Sequence, residues 1–447
     1  MNSIELRAAI SLALVYVLRM LGLFMVMPVL AVMAQNFADY SVLLVGLAIG
    51  GYGLTQALLQ IPMGMLSDKF GRKPIIIAGL LMFCLGSLVA GYADSMWMLV
   101  VGRLLQGAGA IAGAIMALAA DVSRESQRAK VMAIIGIAIG FSFYLALLLG
   151  PMIAEQWGLS GIFLITALLA ALCLPLVWIV VPNAQHQAPS GDTLPSWRDL
   201  RALLANSQIK RLNISVCILH CLITLFFMQI PIMLVEMGQP IDQHWQLYWP
   251  ILLSSIVGLT ILMGLNRKVS RKMLMLISIG LLIVACIGIS SVSSALMISL
   301  FAVLFFSGFN YLEANLPAWL SSIAPAGKKG SAMGMFASFQ FFGAFAGGVI
   351  AGWLNQYFTP SQVLWFGVAI CVIWLLVVAG LKATEHVRRY SLIVRKADNN
   401  KHKVLHKQLS ALPGVIEVRY VDLENTYYFK TEKEFNYKAA QHLADTI

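Results

Sequence analysis

The sequence predicts an all-α membrane protein of twelve spanning helices in two six-helix halves, followed by a small α+β domain. Three observations predict it. First, 60% of the 447 residues are hydrophobic and only 11% are charged. A soluble domain is nearer half apolar and a quarter charged, and could not hide this much apolar surface in one core. Second, about twelve apolar runs of roughly 20 residues succeed one another, each long enough to cross the hydrocarbon as a helix. They cover residues 8–34, 41–67, 74–93, 96–120, 129–153, 160–181, 211–236, 243–266, 272–291, 294–322, 330–355 and 361–383. Third, the charges alternate between successive connections. With the N-terminus in the cytoplasm, the inner segments hold 18 of the 31 Lys and Arg residues. The outer loops hold none, only Asp39, Asp94, Glu155, Glu236 and Asp242. A wrong helix count would scramble that positive-inside split.

The same figures exclude a disordered chain, a coiled coil, collagen and a small disulfide scaffold. The net charge of +11 lies in short loops and in the tail rather than along a groove, so nucleic acid is not an expected partner. All six cysteines fall inside apolar runs and form no CxxC pair, which leaves no sign of a secretory disulfide. The first run is too long for a signal-peptide core and reads as a retained helix.

Taken in order, residues 1–181 form the first six-helix half. Residues 182–210 form a polar cytoplasmic linker containing Pro182, Pro189 and Pro195, and residues 211–384 form the second half. Two such halves suggest a pseudo-twofold bundle with a central site between them. Residues 385–447 contain no spanning run. There, residues 388–396 alternate like a strand, and residues 400–412 have helical spacing at Val404, Leu405, Leu409 and Leu412. Residues 415–423 form a strand with Val415, Val418 and Val421 as candidate inward positions, residues 426–431 pair back on it, and residues 434–444 form a second helix. The order β-α-β-β-α suggests a ferredoxin-like module lacking its last strand.

The most informative connection is residues 64–74, Gly-Met-Leu-Ser-Asp-Lys-Phe-Gly-Arg-Lys-Pro. Gly64 and Asp68 share a helix face one turn apart, and Gly64 permits close helix approach. Asp68 ends its helix where the macrodipole disfavours an anion, so it needs a partner, and Arg72 is the obvious one. Gly71 permits the reversal, and Lys73 adds an inner charge. Asp121 ends the fourth helix on the same side. The expectation is a conformational latch with Arg72 between Asp68 and Asp121, and with Gly64 against the eleventh helix near residues 343–348.

This segment resembles the signature loop of the major facilitator superfamily, G-x-x-x-D-x-x-G-R-[RK]. Gly22 through Pro28 resembles the first-helix motif of its twelve-helix drug:proton antiporters. Arg103, Gln106 and Gly107 resemble their fourth-helix R-x-x-Q-G motif. Gly136, Gly140, Gly150 and Pro151 resemble their fifth-helix antiporter motif, although a longer gap precedes Gly150 and Ala154 replaces a glycine. The second-half copy of the loop, residues 264–272, keeps its basic residues without the Asp. The resemblance spans about residues 8–384, and the tail narrows it to transporters that carry a cytoplasmic ferredoxin-like domain after the last helix. It implies a secondary transporter of a bacterial inner membrane, with both termini cytoplasmic, and a role for Arg103 in proton transfer.

Ionisable groups inside hydrocarbon are costly and mark function. Arg19, Arg103, His220 and Glu313 are the candidates for proton coupling. His220 and Glu313 lie at matching depth, ~13 Å from the cytoplasmic ends of the seventh and tenth helices at ~1.5 Å per residue. Such a pair would load a proton in one state and release it in the other. Cys217, His220 and Cys221 share a helix, but no carboxylate or further histidine lies near them in the sequence, so no metal is assigned. No cofactor is expected, and no nucleotide loop or nucleophile elbow points to an enzyme.

The function expected is proton-coupled efflux of small amphipathic compounds by a monomer. The alternatives are a proton-coupled uptake symporter for a polar nutrient and a membrane sensor that signals through the tail. The expected partners are a small-molecule substrate, protons and membrane lipids. Arg388, Arg389, Lys396, Lys401, Lys403 and Lys407 of the tail would meet anionic headgroups or a small anionic cytoplasmic ligand.

Overall fold

The computed structural model describes residues 1–183, 197–325, 328–382, 388–394, 399–421, 425–432 and 435–445. The first half comprises α1 (Ser3–Phe24), α2 (Met27–Met33), α3 (Val42–Phe70), α4 (Arg72–Gly91), α5 (Met96–Ala108), α6 (Ala112–Val122) and α7 (Glu125–Pro175). A short helix, α8 (Trp197–Ala205), precedes α9 (Ser207–Glu236), α10 (His244–Leu265), α11 (Arg271–Ser290), α12 (Ala295–Ile323), α13 (Lys329–Leu354) and α14 (Pro360–Ala379). The tail adds β1 (Arg388–Ile393), α15 (Asn399–Ser410), β2 (Val415–Val421), β3 (Thr426–Thr431) and α16 (Tyr437–Asp445).

Among the described residues, eleven helical stretches are long and apolar enough to cross a membrane. One is α7, which runs for 51 residues, over twice what ~30 Å of hydrocarbon needs at ~1.5 Å per residue. It is broken at Gly158 (φ 65°, ψ −169°), a left-handed conformation that glycine adopts without penalty. The eleven stretches therefore make twelve crossings, with the fifth and sixth expected runs fused into one element.

Two other runs are interrupted. Pro28 lies in the first turn of α2 and has no N–H to continue α1. Between α5 and α6 the helix opens at residues 109–111, which frees the Gly109 carbonyl for the Arg19 guanidinium at 2.9 Å.

Helix association within lipid draws little on the hydrophobic effect and depends on close approach. The main contact between the halves, α3 against α13, is built that way. A Cβ on Gly46 would strike the Gly348 carbonyl, one on Gly50 the Phe345 backbone, and one on Gly53 the Phe341 carbonyl. These contacts run from mid-depth to the side opposite the cation-rich loops. The Phe143 ring of α7 also lies 6.3 Å from Phe227 and 6.5 Å from Phe306. Asn310 Nδ2 donates to Tyr144 Oη at 2.7 Å and to Ser255 Oγ at 3.2 Å. The halves are thus joined on that side. Gly348→Leu is expected to prise the seam apart. The check is impermeant maleimide labelling of Val45→Cys, a position only 2% exposed here, in a background without the native cysteines. The labelling rate should rise severalfold.

In the tail, the sheet order is β1-β3-β2, antiparallel throughout. With α15 and α16 this is the expected ferredoxin-like arrangement. Leu392, Leu405, Leu409, Tyr427 and Phe429 form its core. Two expected inward positions differ. Val404 is 56% exposed, on the outer face of α15. A register shift between Val415 and Glu417 puts Val415 and Val418 on the core side, and regular alternation then selects Tyr420 rather than Val421. Lys396 and the side chains of Arg388, Arg389, Lys401 and Lys403 lie outside the described residues, as do residues 184–196 of the linker.

Candidate functional site

Among the described residues, three polar clusters of the bundle contain expected site residues. The first is at the end of α3. Gly71 turns the chain with φ 94°, where a side chain would be strained, and so places Arg72 in the first turn of α4. A cation there opposes the helix dipole, and acceptors surround it. Arg72 Nη1 meets Asp68 Oδ1 at 2.7 Å and Ser67 Oγ at 3.0 Å, and Nε meets Asp121 Oδ2 at 2.9 Å. Arg72 thus lies between the two aspartates. The Arg72 and Asp121 side chains are 5% and 1% exposed, whereas Asp68 is 36% exposed.

Gly64 is buried on the same helix, and its carbonyl accepts from Ser67 Oγ at 2.7 Å. Its expected contact with residues 343–348 is not formed. Gly343 and Gly347 pack on the Cys217 and Cys221 backbones of α9, and Gly348 packs on Gly46 and Gly50. Gly64 lies 14 residues beyond Gly50 on α3, ~21 Å farther along the axis at ~1.5 Å per residue. On α3 the glycine contacts with α13 are made by Gly46, Gly50 and Gly53 instead. Lys73 stands apart from this cluster, half-buried one residue on.

The second cluster holds two buried cations. Arg19 Nη2 lies within hydrogen-bond distance of Tyr52 Oη (2.9 Å), Gln56 Oε1 (3.1 Å) and the Gly109 carbonyl. Gln56 in turn donates to Gln60 Oε1 at 2.9 Å. Arg103 Nε donates to the Ala48 carbonyl at 2.9 Å and Nη1 to Gln106 Oε1 at 2.8 Å, while Gln106 donates to Ser87 Oγ. The Arg103 guanidinium lies 5.3 Å from the centre of the Tyr52 ring. Among the described residues neither arginine forms an ion pair. Only neutral oxygens and aromatic faces offset their desolvation.

The third cluster joins α9, α12 and α13. His220 Nδ1 lies 3.2 Å from the Val216 carbonyl. A carbonyl only accepts, so Nδ1 carries the proton and Nε2 of the neutral ring is an acceptor. Gln340 Nε2 donates to it at 2.8 Å and to Glu313 Oε1 at 3.3 Å. One amide therefore bridges base and acid, whose nearest atoms, His220 Nε2 and Glu313 Oε2, are 3.7 Å apart. The Glu313 side chain is 41% exposed and that of His220 15%. A proton on Nε2 would forbid the present Gln340 orientation. The amide would have to turn its oxygen toward the imidazolium, releasing Glu313. Phe341, next to Gln340, meets the Tyr52 ring at 6.1 Å, so the second and third clusters converge on the α3–α13 seam.

The remaining motif residues serve close approach. Gly22 faces Thr166, Gly107 faces the Tyr52 carbonyl and Thr55, and Gly150 faces the Met25 carbonyl, with Pro151 beside it in α7. Gly136 and Gly140 face open space. Among the described residues no group of His, Cys, Asp or Glu could hold a metal ion.

Sequence reasoning missed Tyr52, Gln56, Gln60 and Gln340. A signal was present for each. The first three recur at four-residue spacing on one face of the largely apolar α3, and Gln340 is the only amide side chain in α13. The Glu5–Arg124 pair (2.8 Å), which ties the start of α1 to the start of α7, had no comparable signal, because its partners are 119 residues apart.

The sequence matches the family description Major Facilitator Superfamily over residues 12–315 and 242–416. It is 37% identical to the inner membrane transport protein YajR of Escherichia coli (strain K12) over 434 residues, 96% of this chain and 95% of that protein. The uncovered share is smaller than the tail, so the likeness extends into the small domain. The multidrug resistance protein MdtH of Aeromonas salmonicida (strain A449) is 26% identical over 385 residues, 79% of this chain and 89% of that protein. Among solved structures, a D-xylose–proton symporter superposes with a TM-score of 0.70 at 14% identity, over 85% of this chain and 98% of that one.

Proposed function

We propose, from the premise that this chain belongs to the major facilitator superfamily and is therefore a transporter rather than an enzyme, that it exports small amphipathic compounds in exchange for protons. Residues 1–181 and 211–384 are the two halves, rocking about a central site to give alternating access. The cation-rich loops and both termini face the cytoplasm of a bacterial inner membrane, in keeping with the positive-inside split and with the name of the Escherichia coli relative.

The observation that carries this reading is the Glu313–Gln340–His220 bridge. Glu313 is the one carboxylate well inside a span, and its amide link reaches both a titratable base and the helix that touches the other half. A proton arriving at Glu313 neutralises the carboxylate. A proton at His220 Nε2 turns the Gln340 amide. Either event changes what α13 presents at the seam. Arg103 and Arg19 hold positive potential in the first half, which disfavours a further cation there and favours Glu313 as the group that exchanges the proton. The aromatic rings between Phe143 and Phe309 are packed together here, and rocking the halves apart would open an apolar surface to amphipathic substrates. The resistance protein from Aeromonas supports export of such compounds.

The test is proteoliposomes loaded with a pH dye and challenged with a panel of amphipathic compounds, ethidium among them, using the full chain and a form lacking residues 388–447. Some member of the panel should drive a luminal pH change. The shortened form should keep most of that rate, because the tail is regulatory. No proton movement with any panel member would exclude export of this class. Complete loss in the shortened form, with membrane insertion intact, would give the tail an essential role instead.

A further inference from the structure

On the flank of the first half, away from the seam, α4 and the end of the sixth crossing border a shallow, open groove of about 320 Å³. Its lining is wholly apolar: Ile77 and Leu81 from α4, then Leu174, Pro175, Trp178 and Ile179. The last two belong to a π-helical turn at Leu176–Val180. Such turns are rare and frequently mark functional sites. This one presents Trp178 (73% exposed) and Ile179 (68% exposed) outward.

Two cations lie next to this lining at the same end, one beside each wall. Lys73, Ile77 and Leu81 follow at four-residue spacing in α4, so Lys73 stands directly beyond the apolar floor. Arg7 reaches across from α1 to the other wall. Its Nε donates to the Val180 carbonyl at 2.7 Å and its Nη2 to the Ile179 carbonyl at 3.1 Å. Arg7 is close enough to act electrostatically on the Lys73 ammonium. Among the described residues neither cation pairs with a carboxylate. Two like charges held together at the edge of the bilayer repel, and an anion between them removes the repulsion.

We propose that this groove is a binding site for an anionic phospholipid, its phosphate held between Arg7 and Lys73 and an acyl chain lying along Ile77, Leu81 and Leu174. Trp178 sits at the rim, at the depth where amphipathic rings favour the interface. A basic pocket between spanning helices on the cytoplasmic side is the setting in which lipid headgroups are recognised. The apolar floor separates this ligand from a free phosphate ion, which would gain nothing from it. Because Lys73 follows Arg72 directly, the lipid would bear on the latch through one residue of backbone.

The experiment is native mass spectrometry of the purified full chain with added phosphatidylglycerol, phosphatidylcholine or inorganic phosphate. Phosphatidylglycerol should be retained in preference to phosphatidylcholine, and inorganic phosphate should neither bind nor displace it. Lys73→Gln should weaken retention about fivefold, the factor that corresponds to ~1 kcal/mol per cation near the membrane surface, and Lys73→Arg should restore it. Leu81→Trp fills the groove with both cations in place and should also reduce retention. Thermal unfolding by circular dichroism shows that each variant is folded. Equal retention of the two lipids by the wild type would overturn the proposal, as would wild-type retention by folded Lys73→Gln and Leu81→Trp. Binding of inorganic phosphate as tight as that of the lipid would also overturn it.

Discussion

Replacing Glu313 with Gln is expected to uncouple transport from protons while leaving the fold intact. The substitution is isosteric, and its amide oxygen can still accept from Gln340 Nε2, which lies 3.3 Å from Oε1. Only the capacity to take up and release a proton is lost. With the exchanging group gone, substrate-driven proton flux should fall to near the background of protein-free liposomes. Exchange of substrate for substrate, which needs no net proton movement, should persist. His220→Ala should show a smaller loss, since it removes the base but leaves the acid. The double variant should be no worse than Glu313→Gln, because groups joined through one amide are not additive. Flux in proteoliposomes, with all three variants measured against the wild type, is the check. Normal coupling in Glu313→Gln would remove this site from the mechanism.

The second large effect is expected at the Arg72 ion-pair cluster, the proposed latch, whose members differ in burial. Arg72 and Asp121 are both nearly inaccessible, with side chains 5% and 1% exposed. Breaking a buried pair from one side typically costs about 3–5 kcal/mol. Asp68 and Ser67 still hold Arg72 in Asp121→Asn, so a loss of roughly 2–3 kcal/mol is expected, at the lower edge of that range or below it. Asp68 is 36% exposed, and partly solvated pairs contribute about 0–1 kcal/mol. Asp121→Asn should therefore lower the thermal unfolding midpoint in detergent, and slow transport, more than Asp68→Asn does. The reverse order would mean that Asp68 acts through something other than its pair with Arg72.

The crossings were legible because hydrocarbon imposes a composition on every segment it contains, and loop charge reports sidedness independently of helix length. Register between helices was not. Gly343, Gly347 and Gly348 were visible as small residues, but nothing local distinguishes a partner at Gly50 from one at Gly64 on the same helix. That choice is made by the depth at which α3 and α13 cross. The acid and base of the proposed coupling site were legible as intramembrane ionisable groups. Their bridge, Gln340, was visible only as the lone amide of a long apolar helix, which gives no sign of which neighbours it faces. In the tail, uniform spacing selected Val421 where a bulge moves the inward position to Tyr420. An inserted residue changes the face of everything after it, and the β2 sequence does not announce it.

The proposed coupling requires that protonation at the Glu313–Gln340–His220 bridge bias how the two halves meet. Spin labels at Tyr40→Cys and Tyr357→Cys, exposed loop positions in different halves on the side opposite the basic loops, would report it in a background without the native cysteines. The measurement needs no knowledge of the substrate: the distance distribution is recorded between pH 5 and pH 9. The wild type should shift between two populations with pH, and the same pair in Glu313→Gln should not. An identical pH-dependent shift in both proteins would contradict the claim.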